Sequence, residues 1–378
     1  MGIDVSKMPK LGFGLMRLTE NDGVIDLDHV CRMVDMYMES GMNYFDTAYV
    51  YHSGKSECVV KDALCKRYDR DKFMLATKLP AWEIKCSEDR DRIFNEQLER
   101  TGAGYFDLYL LHSIEDGSNY ETYEKYDCFR WGMKKKEEGL IKHLGFSFHG
   151  SPALLKEVLD KHPEIEFVQI QLNYADWNNP IVRSGELYNI LAERKIPIIV
   201  MEPIKGGTLA NPADKIKEAL KESIPDSTPA EAALRFVGSL DGVMTILSGM
   251  SSEDQMRENI ATFTNFKKLT DSEQAGIDKA VAIMRDIALI GCTSCRYCCD
   301  GCPSSIPIPD IFRALNTVKL YNEEFRPQMF YNGVTQGKGK ASDCIGCGQC
   351  EGVCPQHINI IELMESAKEQ FDSGKFSR

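Results

Sequence analysis

The sequence predicts an α/β protein: a closed parallel barrel of eight β/α units followed by a small cysteine-rich domain. Three observations predict it. Short apolar runs alternate with charged amphipathic stretches eight times between residues 11 and 261. No GxGxxG turn follows an early run, which removes the main signature of an open dinucleotide-binding sheet. Nine of the fourteen cysteines crowd between Cys292 and Cys354.

Each element follows from its pattern. Residues 11–18, LGFGLMRL, form the first apolar run, and HVCRMVDMYMESG (29–41) has helical spacing and stops at Gly41. Further strands are expected near 42–46, 73–78, 106–111, 141–147, 167–171, 196–201 and 243–248. Helices are expected near 56–67, 87–101, 122–138, 151–161, 182–194, 228–238 and 252–261. Short connections between these pairs favour a (β/α)8 TIM barrel over residues 1–269. TDSEQAGIDKAVAIMRDIALI (270–290) reads as one linking helix, followed by the second domain at 291–365 and a tail at 366–378. Within that domain, IPIPDIFRALNTVKLYNEE and INIIELMESAKEQF read as helices, and GVTQGKGKASD as a flexible stretch.

Composition narrows the function. A net charge of −12 argues against a nucleic-acid partner or an anionic membrane surface. No run of 18 uninterrupted apolar residues occurs, and MGIDVSKMPK lacks the apolar core of a signal peptide, so a cytoplasmic protein is expected. Cys31, Cys58, Cys65, Cys86 and Cys128 are scattered and suit small buried hydrophobes. Without an export signal, the dense group points to a metal site and not to disulfides.

In such a barrel the strand C-terminal ends carry the chemistry. NYFDTAYVY (43–51) brings Asp46 and Tyr51 there, Lys78 closes FMLATK, and His112 closes FDLYLLH. A phenol with an ordinary pKa of ~10 needs a cation beside it to work near neutrality. Singly, Asp46 equally suits a turn cap, Lys78 a solvated surface and His112 a core; their coincidence at strand ends argues for one mouth. Trp82 and Trp177 suit either pocket walls or packing. Gly206, Gly207, Gly249 and Ser251 fall after the seventh and eighth strands, where barrel enzymes hold phosphate, although Ser251 with Ser252 also suits a helix cap.

These segments resemble the aldo-keto reductase family over roughly residues 10–262. DTAYVY is similar to the family's Asp and Tyr segment, ATK to its Lys segment and LYLLH to its His segment. The resemblance implies hydride transfer between NAD(P)H and a small carbonyl or alcohol substrate. Tyr51 would be the proton donor, Lys78 held by Asp46 would lower its pKa, and His112 would orient the carbonyl. It further implies cofactor contacts at Ser147 in GFS, Gln171 in QLNY, Gly206 and Gly207 in MEPIKGG, and Gly249, Ser251, Gln255, Glu258 and Asn259 in SGMSSEDQMREN. Met250 and Gln255 align where the family commonly has basic residues for NADP, and neither is basic; Arg257 is out of register. NAD, NADP and a flavin phosphate therefore all stay open.

The cysteines complete the reading. CTSCRYCCDGCP places Cys292, Cys295, Cys298 and Cys302 before Pro303, and CIGCGQCEGVCP places Cys344, Cys347, Cys350 and Cys354 before Pro355. These duplicated runs resemble the bacterial ferredoxin signature for two [4Fe–4S] clusters in a ferredoxin-like α+β domain. That signature crosses the ligands: Cys292, Cys295, Cys298 and Cys354 for one cluster, and Cys344, Cys347, Cys350 and Cys302 for the other. Zinc does not explain a third cysteine and a Cys-Pro in both runs. Cys299 is a ninth thiol outside the pattern. Three couplings then arise: clusters serving a redox partner protein beside NAD(P)H chemistry, clusters feeding a flavin in the barrel mouth, or a barrel without turnover acting as a redox sensor.

Overall fold

Eight buried runs form the wall of a barrel. In a computed structural model they are β1 Leu11–Gly14, β2 Tyr44–Asp46, β3 Met74–Pro80, β4 Phe106–Ile114, β5 Ile141–Phe148, β6 Phe167–Gln171, β7 Ile198–Met201 and β8 Val243–Ser248. The structure describes all residues except 1–2, 22, 116–117, 180–181, 287–288, 293–294, 322–323, 355 and 375–378. Pro355 and the end of the tail, both singled out in the sequence, thus lie outside the described residues. The strands pair in parallel in chain order and close between β8 and β1, where Leu11 stands opposite Ile246. This is the predicted barrel.

Its interior is filled by Tyr44, Leu108, Leu110, Phe167, Ile199 and Met244, among others. Each large apolar side chain buried this way contributes about 1.5–3 kcal/mol, so the frame holding the strand ends is stiff. Close packing also dictates Gly145: a Cβ there would sit 2.5 Å from the Phe167 carbonyl oxygen.

The surrounding helices follow the predicted order, with informative departures. Glu88–Thr101 ends at Gly102 with φ 64°, and Pro152–Lys161 opens on Ser151, whose side chain accepts the Leu154 N–H. The single helix expected at 122–138 is two helices, Ser118–Lys125 and Cys128–Glu137. Asp127 breaks it with a left-handed φ of 52°, a conformation no helix interior accepts. The helix expected at 56–67 is α-helical over Lys55–Val60 and widens to a π-turn over Lys61–Cys65. A hairpin, Glu20–Asn21 with Val24–Ile25, and a helix, Asp214–Ser223, were not expected.

The chain divides into two compact units, 1–206 with 230–274, and 207–229 with 275–378. The linking helix spans Asp271–Asp286. In the second unit Lys279 pairs with Glu222 at 2.6 Å. The helices Ile308–Tyr321, Phe325–Thr335 and Ile360–Ala367 enclose a small core around Ile311, Phe312, Tyr331 and Met364. Its described residues are helices and loops, with no strand among them. The stretch expected to be flexible is tightly packed at Gly339, where a Cβ would lie 2.1 Å from the Ser304 carbonyl oxygen. Among the described residues no helix is long and apolar enough to cross a membrane.

Candidate active site and thiol-lined cavities

Strand register places the chemistry. Asp46 ends β2 opposite Ala76, while Lys78 and Pro80 of β3 face Leu110 and His112 of β4. β3 and β4 each run two residues past Lys78 and His112. The ladder between β4 and β5 shifts after Leu111, and Ser113 has φ 59°. Such bulges re-aim side chains at a barrel rim. Here the bulge is pinned: Ser113 N–H donates to Ser147 Oγ at 2.7 Å, and Asn119 Nδ2 donates to the Ser113 carbonyl at 3.0 Å. The single Tyr123 hydroxyl proton is shared between the carbonyls of Leu79 (2.6 Å) and His112 (2.7 Å).

Lys78, 1% exposed, uses all three ammonium protons. They go to Asp46 Oδ1 at 2.6 Å, the Thr47 carbonyl at 2.7 Å and the Tyr51 hydroxyl oxygen at 3.3 Å. A second layer holds its backbone. Gln97 Nε2 donates to the Lys78 carbonyl at 3.0 Å and to Glu57 Oε1 at 2.9 Å, and Thr77 Oγ1 also donates to Glu57, at 2.7 Å. The loop carrying Tyr51 is braced from the hairpin. His52 Nε2 accepts the Leu18 N–H at 3.2 Å, and its Nδ1 meets Glu20 Oε1 at 2.6 Å. The His112 ring lies 6.2 Å from that of Tyr51, edge to face, and 5.2 Å from Trp82.

Electrostatics follow from burial. Burial depresses the Lys78 pKa, but Asp46 and Tyr51 outweigh it and hold the ammonium above its ordinary value. Burial raises Asp46, with Lys78 offsetting part of the shift. Burial also raises Tyr51; Lys78 pulls it down and Asp46 pushes it up, so the net shift is upward. The Lys78 pull expected from the sequence is present, and desolvation exceeds it. His112 is held well below its ordinary value by burial, then by the charges of Lys78 and His149. Among the described residues, Asp46 Oδ2 and His112 Nδ1 are buried without a hydrogen-bond partner. An orphaned buried polar atom calls for a catalytic role or a water or ion that completes it.

The expected cofactor positions separate. Ser147 is buried and in register with Gln169 of β6, whose Oε1 is buried and unpartnered among the described residues. Gln171 is instead drawn into a loop brace: its Nε2 donates to Asp176 Oδ2 at 3.3 Å, beside Asn173 at 2.9 Å and Lys205 at 2.7 Å. Gln169, two residues earlier on the same strand, is a further amide, and its Oε1 has no partner among the described residues. The alternation QIQ puts both glutamines on one strand face, so only depth distinguishes them. Gly206 (φ 64°) belongs to the first unit and Gly207 (φ 104°) to the second. Ser252, not Ser251, caps the helix Glu253–Thr264 by accepting the Gln255 N–H at 3.3 Å. Ser251 N–H donates to Gln255 Oε1 at 2.9 Å. Asn259 is buried and donates to Ser248 Oγ at 3.0 Å, while Glu258 is exposed. Met250 is buried, and Arg257 is paired with Glu253 and Asp254. The Arg17 side chain, absent from the sequence reading, lies against Gly249. Trp177 packs on Tyr188 and Phe236 at 5.4 and 5.7 Å, whereas Trp82 is 45% exposed beside His112.

The second unit contains two cavities, each bordered by four thiols. One is lined by Cys302, Cys344, Cys347 and Cys350. The other is lined by Cys292, Cys295, Cys298 and Cys354. Cys299 borders neither. Among the described residues no three His, Cys, Asp or Glu side chains converge as ligands of a single ion. Four thiols bordering one cavity match the ligand count of a cubane.

A family model described as the aldo/keto reductase family matches residues 10–282. The chain belongs to the aldo/keto reductase family. A second model, a 4Fe-4S dicluster domain, matches residues 291–359, so the reductase carries a C-terminal dicluster domain. It is 27% identical over 305 residues to the uncharacterized oxidoreductase YqkF of Bacillus subtilis, covering 72% of this chain and 91% of that one. An aldo-keto reductase from Bacillus halodurans, solved in its holo form, superposes with a TM-score of 0.59 at 28% identity, covering 72% of this chain and 92% of that one. An aldo/keto reductase from Klebsiella pneumoniae, solved with NADP and acetate, shares the fold at a TM-score of 0.58 and 20% identity, covering 72% and 91%. This reductase is accordingly an oxidoreductase, which sets aside a barrel without turnover. The flavin considered from the sequence finds no support among these relatives.

Proposed function

We propose that the barrel reduces the carbonyl group of a small molecule, or oxidises the corresponding alcohol, with NAD(P)H as the hydride carrier. The observation that carries this reading is Lys78 Nζ bridging Asp46 Oδ1 and the Tyr51 hydroxyl beside the open His112 Nδ1. A nicotinamide would supply the hydride; Ser147 and the open Gln169 Oε1 are suited to its carboxamide, and the backbone at Gly206, Gly249 and Ser251 to its phosphates. Tyr51 stays protonated across the ordinary pH range and donates to the carbonyl oxygen as negative charge develops there. Lys78, charged and fixed by Asp46, stabilises the tyrosinate left behind. Neutral His112 orients the carbonyl and keeps the pocket free of a second cation.

The two thiol sets are read as the ligands of two [4Fe–4S] clusters, held crosswise between the runs. Such clusters supply single electrons, whereas hydride transfer moves two, so we assign them to exchange with a redox partner protein in the reducing cytoplasm. The test uses the full chain purified without oxygen. Tyr51→Phe should lower reduction of an aromatic aldehyde by ~10²–10⁴-fold, the typical worth of a placed acid, and leave iron content unchanged. Retained turnover moves the proton donor elsewhere. Quenching titrations with NADH and NADPH then decide the carrier.

A further inference from the structure

The two thiol-lined cavities have unlike walls. Among the described residues, the wall of the cavity of Cys302, Cys344, Cys347 and Cys350 holds no charged side chain; it is largely apolar, from Ile306 to Met364. The wall of the cavity of Cys292, Cys295, Cys298 and Cys354 includes Arg296. Arg296 stands between two of those cysteines with a left-handed φ of 66°. Its Nη2 lies 3.0 Å from both Asp310 carboxylate oxygens, and Asp310 does not line the cavity. The cation of the pair thus belongs to a residue that lines the cavity, and its counter-ion to one that does not. Ile360 borders both cavities and forms a common wall.

Reducing a thiolate-ligated cluster adds negative charge. A nearby cation favours that step, and an apolar wall without charge does not. The Ile306 N–H, 3.5 Å from Cys302 Sγ, acts the other way on the second site, as one amide dipole set against an ion pair whose cation lines the first. We infer that the Arg296–Asp310 pair sets the Cys292, Cys295, Cys298 and Cys354 cluster at the higher reduction potential, so that electrons run toward it across Ile360. This rests on the crossed-cluster reading above.

The test is an EPR-monitored redox titration of the anaerobically reconstituted full chain, with dithionite as reductant. Arg296→Gln leaves Asp310 unneutralised and should move the higher-potential wave to more negative values. Asp310→Asn leaves Arg296 unneutralised and should move the same wave the opposite way. Arg296→Lys keeps the charge and should stay close to the parent, while the lower wave shifts less than the higher one in every variant. Shifts of the same sign in the first two variants, a larger shift in the lower wave, or no shift in either wave overturns the inference. The cluster reading fails separately: iron and sulfide would fall well short of about eight each, or Cys354→Ser would abolish the wave that Arg296→Gln leaves in place.

Discussion

The barrel mouth and the cysteine-rich unit build their sites in opposite ways. At the mouth the protein holds its charged pair with its own groups: Lys78 has its three acceptors, Asp46 is 2% exposed, and Glu57 and Gln97 brace the strand behind them. In the second unit the thiols surround voids, and the cysteines also pack against the small core. The mouth is therefore preorganised by packing, whereas the cysteines border cavities beside a small helical core. Preorganisation suits proton donation, which needs fixed geometry. Thiol-lined voids suit a cofactor whose binding energy is also folding energy.

The largest expected effect tests that contrast. Chelating iron from the reduced protein should unfold the second unit and spare the barrel. Structural metal sites contribute on the order of 10 kcal/mol, more than a small core supplies. Hydrogen exchange reads this out: amides of the helix Ile308–Tyr321 should lose protection while those of β4 keep it. Equal protection in both would break the comparison.

A smaller effect sharpens the mouth. Lys78→Met strands the Asp46 carboxylate in the barrel and should cost about 3–5 kcal/mol of barrel stability by denaturant unfolding. Pairing it with Asp46→Asn should recover part of that loss, and iron content should not change. A cost under about 1 kcal/mol would mean that the pair is open to water.

The smallest effect concerns pH. Tyr51 donates only when protonated, and its pKa lies above the ordinary 10.0, so the donating form is complete at neutrality and is lost only as pH rises through that raised value. His112 sits well below 6.5, so it stays neutral and adds no step near that pH. kcat/KM for aldehyde reduction should be flat from about pH 6.5 to 9. A step near pH 6.5 would mean that His112 is charged in the free enzyme.

Local pattern alone determined the eight strands, because each apolar run must be buried on both faces and each amphipathic stretch on one. It also determined both cysteine runs, since ligand spacing within one loop is a property of the chain. Asp46, Lys78 and His112 were legible for the same reason, each falling near the end of a strand. Other features required long-range packing. That Gln171 is held by Asp176 while Gln169 Oε1 has no partner among the described residues depends on depth in the barrel. The upward net shift of Tyr51 depends on burial outweighing Lys78. Asp127 splitting one helix and Arg296 meeting Asp310 are likewise outcomes of packing between segments. Periodicity says which face a side chain takes; only the folded chain decides how deep it lies and which partner reaches it.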